Sequence, residues 1–341
     1  MVTKVCFTVD TECTIGGAFR DPALLPVGEQ ALWCMVAGRS EGLGFVLESL
    51  ASHQLTATFF LETQHAHYFR RSPMRAAAHR IAADGHEVQL HTHPCWSVFQ
   101  HADWRSRCSA TARLDDFYGM EIATSVALIR DGQARFAEWG LPTPTVFRSG
   151  NLQHDDVLYQ ALAHCGIMTS SNIGMGIFDS GDARYRLYSG QHIRHGVLEM
   201  PVLSFSDRHA WQPGRLKSLT IAGTSFTETR ALLLAAEQAG MHQVVVLTHP
   251  SEFVRKDNDQ FSVTRRHQVN QRRLQRLCQF LAENRERFPC VGMAQAAQAA
   301  PSPALCATPH NTLLQTRPMH SLLRQATNLL YDRLGSAALG W

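Results

Sequence analysis

Two imidazoles two residues apart open the chemistry of this chain: His91 and His93, in Gly85-His86-Glu87-Val88-Gln89-Leu90-His91-Thr92-His93-Pro94-Cys95-Trp96. The glycine marks a turn, the alternating segment reads as a short strand, and Pro94 stops it. Residues i and i+2 of a strand share a face, so both rings can converge on one point at the strand's C-terminal end. That is a pair of nitrogen ligands for a divalent metal, short of a carboxylate and a water. Taken alone, the same pair also suits a polar strand end that satisfies loop carbonyls. Other polar groups stand at other strand ends: Asp10 and Glu12, Arg148, and His249. Together they are the parts for metal-assisted hydrolysis. One carboxylate would ligate and one act as base, the arginine would keep the base ionised, and a histidine would protonate the leaving group. A His₂/carboxylate set suits zinc, and such sites also accept cobalt or nickel.

The elements that position these groups alternate between two periods. Val2 to Val9 reads as a strand, Glu41 to His53 as a helix, and Thr56 to Leu61 as a strand. Met74 to Ala83 reads as a helix running into the His91 strand. A long helix is expected from Arg107 to Trp139, with Leu114, Phe117, Ile122, Ala123, Val126 and Ile129 on one face, broken by Leu141-Pro142-Thr143-Pro144. Strands follow at Thr145–Arg148, Ile167–Asn172 and Leu198–Val202, with a helix at Asp155–Cys165 and an aperiodic stretch from Gly174 to Gly196. A helix at Ser225–Ala239, a strand at Gln243–Leu247 and a charged helix at Arg265–Arg287 complete the run. About seven or eight βα units over roughly 300 residues predict an α/β fold, a distorted (β/α) barrel of about seven parallel strands. Parallel α/β folds place their chemistry at the C-terminal strand ends, where all these polar groups fall.

At 341 residues with 45% hydrophobic content, the chain can bury a large core. A net charge of +3 and no aromatic-interleaved basic stripe argue against nucleic acid as a partner. Nine cysteines without a CxxC pair read as reduced thiols. Met1 leads directly into the first strand, and no apolar run is long enough for a signal peptide or a spanning helix. The expectation is therefore a cytoplasmic protein. The barrel is expected over 1–300, and a Pro-containing linker with an amphipathic helix over 301–341. That helix, Met319 to Leu334, sets Leu322, Leu323, Ala326, Leu329 and Leu330 against Arg324 and Arg333. Docking of its apolar face on the barrel is expected, with contact to a membrane or a second subunit as the other possibility.

Phe7-Thr8-Val9-Asp10-Thr11-Glu12 resembles the first motif of the NodB-type polysaccharide deacetylases, carbohydrate esterase family four. Gly85 to Pro94 resembles their metal-binding second motif, and Phe147-Arg148-Ser149-Gly150 is similar to their third. Leu198-Glu199-Met200-Pro201-Val202 and Leu247-Thr248-His249-Pro250 complete the order, so the resemblance covers about Val2 to Gly292. It implies the same distorted barrel, with Asp10 as general base, Glu12 and His91 as metal ligands, His249 as general acid and Arg148 orienting Asp10. Three departures stand out. The second motif usually has its histidines four apart, and the position four after His91 is Cys95. Either His93 takes that place or a Cys95 thiolate ligates. Glu12 is a methylene longer than the usual aspartate, which leaves its role and that of Asp10 exchangeable. Ser149-Gly150 stands where an aromatic wall is usual.

The reaction this implies is hydrolysis of an N-acetyl group, and the absence of a signal peptide points to a nucleotide- or lipid-linked sugar or a glycan under assembly. Two other readings remain open on the same residues. One is a small-amide or cyclic-ureide hydrolase with a compact pocket. The other is a catalytically silent, metal-containing glycan-binding or scaffold protein.

Overall fold

The computed structural model describes residues 2–110, 112–209, 212–298 and 311–334. Its centre is an eight-stranded sheet. In chain order the strands are β1 (Lys4–Thr11), β2 (Thr58–Glu62), β3 (Glu87–Thr92), β4 (Val146–Ser149), β5 (Thr169–Ser170), β6 (His192–Arg194) and β7 (Val197–Glu199). A hairpin of β8 (Ser204–His209) and β9 (Gln212–Ser218) precedes β10 (Gln243–Thr248). The order across the sheet is β10-β1-β2-β3-β4-β5-β7-β6, with every pairing parallel except the antiparallel β6 edge.

The sheet curls back towards its first edge. Val202, just past β7, bridges Val245 of β10, and Thr220, just past β9, bridges Leu247, both in parallel sense. Single-residue bridges stand where a regular barrel would have a strand, which is the distortion. Helices cross between the strands: α1 (Leu43–Ala51), α2 (Pro73–Ala83), α3 (Ile122–Glu138), α4 (Asp156–His164), α5 (Phe226–Gln238) and α6 (Gln268–Glu283). Their ends follow local chemistry. Asp155 caps α4 by accepting from Leu158 N–H, and Ser225 and Glu228 form a reciprocal box at the start of α5. Gly85, at φ +82°, lets the chain leave α2 and enter the histidine strand.

Strand alternation divides the core. Val5, Phe7 and Val9 of β1 pack outward under the helices, while Cys6 packs inward with Phe60, Val146, Val245 and Leu247. The same alternation brings Thr8 and Asp10 to the inner side as β1 reaches its C-terminal end.

The expected helix from Arg107 to Trp139 is two pieces, Trp104–Ala110 and α3, separated by non-helical backbone that includes a turn at Gly119, φ +76°. Leu114 lies in the non-helical stretch and is 74% exposed; of the expected face, α3 exposes Ile122 and Ala123 but buries Ile129 and packs Val126 against the core. Phe117 and Asp115 are the residues that this stretch buries.

The expected linker lies largely outside the described residues. Beyond it, β11 (Leu314–Gln315) pairs with β8, and α7 (Pro318–Leu334) follows. The face on which α7 docks is the reverse of the expected one. Ser321, Arg324 and Tyr331 are buried, whereas Leu322, Leu323, Leu329 and Leu330 are exposed. The reason is electrostatic: Arg324 donates to Asp207 at 2.6 Å and to Glu228 at 3.0 Å, both buried carboxylates whose close ion-pair partner it is. Burying two unpaired carboxylates costs more than leaving leucines in water. Among the described residues, the cysteines are free and no helix is long and apolar enough to cross a membrane.

Candidate active site

β1, β3, β4 and β10 deliver the polar groups to one rim, and register explains the closeness. His91 is paired with Arg148, and Asp10 stands on β1, two strands from His91 across β2, opposite Phe60. Arg148 is fully buried and its guanidinium lies 4.2 Å from the Phe60 ring. Four of its five N–H donors are taken inward: Nη1 to Asp10 Oδ1 at 2.7 Å and Thr8 Oγ1 at 2.8 Å, Nε to Ser171 O at 3.0 Å, and Nη2 to Ser171 Oγ at 2.8 Å. Fixing Oδ1 in this way turns Asp10 Oδ2 towards the rim, 3.9 Å from His249 Nε2.

His91 Nδ1 donates to the Arg148 carbonyl at 2.8 Å, and its Nε2 lies 3.1 Å from Glu12 Oε1. His93 Nδ1 lies 2.9 Å from Asp115 Oδ2, and its Nε2 faces the same Glu12 oxygen at 3.4 Å. The two rings stand edge to face, 4.9 Å apart. Gly150 makes room for this, since a Cβ there would meet His93 Nδ1 at 2.5 Å. Gly150 thus makes room for the second histidine where an aromatic wall is usual. Burial pushes Glu12 up, but the charge of His93 and the hydrogen bond from His91 outweigh it and hold the carboxyl well below the usual range. Burial would lower His93, yet Glu12 and Asp115 on its two sides raise it well above its ordinary value.

This donor set fits a divalent cation. Glu12, His91 and His93 each offer one ligand atom, all within 4.8 Å of one another, and each ring's other nitrogen is already committed. The Cys95 thiol clusters with His93 and Asp115, and not with Glu12 and His91. Burial, then the charge of Asp115, pushes its thiol well above its ordinary range.

His249 stands at the edge, 3.6 Å from Glu12 Oε1 through Nε2, with Nδ1 3.0 Å from Glu252 Oε1. Burial would lower this imidazole, but the hydrogen bond and charge of Glu252, with Glu12 and Asp10 behind it, raise it to about 9. Asp10, Glu12, His91, His93, Arg148 and His249 all meet at this one rim.

Two partners escaped the sequence reading. Asp115 also accepts from Cys95 N–H, Arg113 and Asn151, so three segments pin it. No local pattern marks it, because it sits in irregular backbone 22 residues from its imidazole. Glu252 was more accessible to inspection: it follows His249 by three residues within the turn Pro250–Phe253, a spacing that brings side chains together.

The architecture is a (β/α) barrel of the polysaccharide deacetylase type. A Mycobacterium smegmatis protein assigned as a polysaccharide deacetylase matches with a TM-score of 0.52 at 20% identity, over 93% of this chain and 94% of that one. Weaker likeness extends to a family 4 carbohydrate esterase from Streptomyces lividans, solved with acetate (TM-score 0.42, 17% identity, 88% and 98% covered). A peptidoglycan deacetylase from Bacillus subtilis is similar at TM-score 0.38 and 11% identity, with 97% and 98% covered. In sequence, residues 38–170 match the polysaccharide deacetylase family model, a span that holds His91, His93, Asp115 and Arg148. No curated protein matches the chain by sequence.

Proposed function

We propose that this protein is a metal-dependent deacetylase that removes an N-acetyl group from a sugar or glycan precursor during polysaccharide biosynthesis. The observation that carries the reading is the convergence of His91 Nε2 and His93 Nε2 on Glu12 Oε1, beside an Asp10 fixed by Arg148 and a His249 backed by Glu252. The family match over residues 38–170 supports it.

Glu12, His91 and His93 would hold the ion, zinc or a similar divalent metal. When bound, it would supply Lewis-acid charge against the amide oxygen and make water in the site more acidic. Asp10 acts as general base through Oδ2, because Arg148 occupies Oδ1 and keeps the carboxylate oriented. His249 holds a proton on Nε2, at the mouth of the site, while Glu252 fixes the ring through Nδ1. That proton goes to the departing amine, which could not leave as an anion. An imidazole that gives a proton opposite a carboxylate that takes one is the pairing such a reaction needs.

The test is acetate release from N-acetylated amino sugars presented free, nucleotide-linked and lipid-linked, with the metal content of the same preparation determined. Release from one of these classes supports the reading and names the carrier. Full metal loading with no release from any class would overturn it.

A further inference from the structure

The C-terminal helix α7 turns its apolar side to water. Met319, Leu322, Leu323, Leu329 and Leu330 are 63, 55, 59, 51 and 43% exposed, while Arg324 on the opposite side is 8% exposed. The spacing puts all five on one face, so this is a continuous apolar stripe and not scattered surface leucine. The docked side holds α7 firmly through Arg324 and through Tyr331, whose hydroxyl donates to Arg266 O at 3.0 Å.

Cations border the stripe on two sides. Leu323 lines a cleft with the exposed Arg272 and Arg276 of α6. At the other end, Tyr331 and Asp332 line a groove with the exposed Arg255, Lys256, Arg265 and Arg266. Arg255 pairs with Asp332 at 3.3 Å and Arg266 with Glu41 at 2.6 Å, so part of this positive charge is offset within the groove. The seven residues that follow α7 in sequence, Gly335 to Trp341, add no charge and include Leu339 and Trp341.

We propose that this face is a docking surface for an anionic lipid bilayer, with α7 lying in the plane of the interface. An apolar stripe edged by Arg and Lys matches a headgroup layer that is negative above and hydrocarbon below. Lying flat is the only membrane mode open to it: α7 has 17 residues, too few to span the hydrocarbon core, and carries Arg324, Asp332 and Arg333. A second copy is the poorer occupant, because a twofold contact would set one basic rim against another. The docked side of α7 links the helix to the site. Glu252, which holds His249, gives its carbonyl to Asn270 of α6 at 2.7 Å, and Gln268 at the start of α6 donates its N–H to the Tyr331 hydroxyl at 3.1 Å.

The experiment is sedimentation of the full chain with vesicles of phosphatidylcholine alone or with about 30% phosphatidylserine, at salt from about 0.1 to about 0.5 M. Binding to the anionic vesicles that weakens with salt is expected. Leu322→Ser/Leu323→Ser/Leu329→Ser should reduce it by about tenfold or more at an unchanged melting temperature. Arg272→Gln/Arg276→Gln, on a different helix, should lower the affinity and flatten its salt dependence, and it decides the matter if the leucine variant fails to fold. Absence of binding to either vesicle, or undiminished binding by both variants, would overturn the proposal. So would a dimer in light scattering that the leucine variant dissociates, without vesicle binding by the parent protein.

Discussion

The Asp115 carboxylate holds Nδ1 of His93 at 2.9 Å and thereby aims Nε2 at Glu12. A carboxylate behind a ligating imidazole fixes its tautomer and raises its basicity. Asp115→Asn is therefore expected to weaken metal affinity by about 10- to 100-fold while leaving the metal-binding stoichiometry unchanged. Competition with a chromophoric chelator measures this directly, and an affinity equal to that of the parent protein would reduce Asp115 to a structural anchor.

The ligand assignment itself is tested by single substitutions. His91→Ala and His93→Ala should each lose the metal, since two remaining protein ligands hold zinc poorly in water. Cys95→Ser should retain it, because the thiol clusters with His93 and Asp115 and not with Glu12 and His91. Retention by His93→Ala with loss by Cys95→Ser would assign the thiolate as ligand instead.

Base and ligand are separated by the two carboxylates of the first strand. Asp10→Asn should bind metal normally and lose turnover by several orders of magnitude, as the loss of a general base predicts. Glu12→Gln should weaken metal binding first. The reverse pattern, read from metal content and acetate release on the same samples, would exchange their roles.

His249→Ala is expected to lose roughly two to four orders of magnitude on an amide. On an aryl acetate, whose leaving group needs no proton, the loss should be far smaller. Glu252→Gln should show the same asymmetry to a lesser degree, because it removes the charge that keeps the imidazole protonated. Equal losses on both substrates would rule out the acid role.

The docking of α7 through its polar side makes a prediction about stability. Arg324→Ala leaves Asp207 and Glu228 buried without their cation and should cost about 3–5 kcal/mol in denaturant unfolding. Leu329→Ser, on the exposed stripe, should stay within about 0.5 kcal/mol. The opposite ranking would mean that the leucines, not the arginine, hold the helix.

Much of this protein is written locally. Strand alternation in Phe7–Glu12 and Gly85–Pro94, and the turns that end them, place Asp10, Glu12, His91 and His93 at strand ends without knowledge of any partner. Parallel βα order then sends those ends to one rim, which is why Arg148 and His249 could be added from far along the chain. The packing decided the rest. Asp115 lies in irregular backbone that helical spacing disguised as a helix face, and its role exists only because Asn151, Cys95 and His93 converge on it. The sheet is closed by single-residue bridges at Val202, the end of an expected strand, and at Thr220, where no strand pattern was read. The orientation of α7 depended on Asp207 and Glu228, more than 90 residues upstream, whose demand for a cation outweighed the helix's own amphipathic signal. Periodicity reports which face of a helix is apolar; only the surface it meets decides which face is buried.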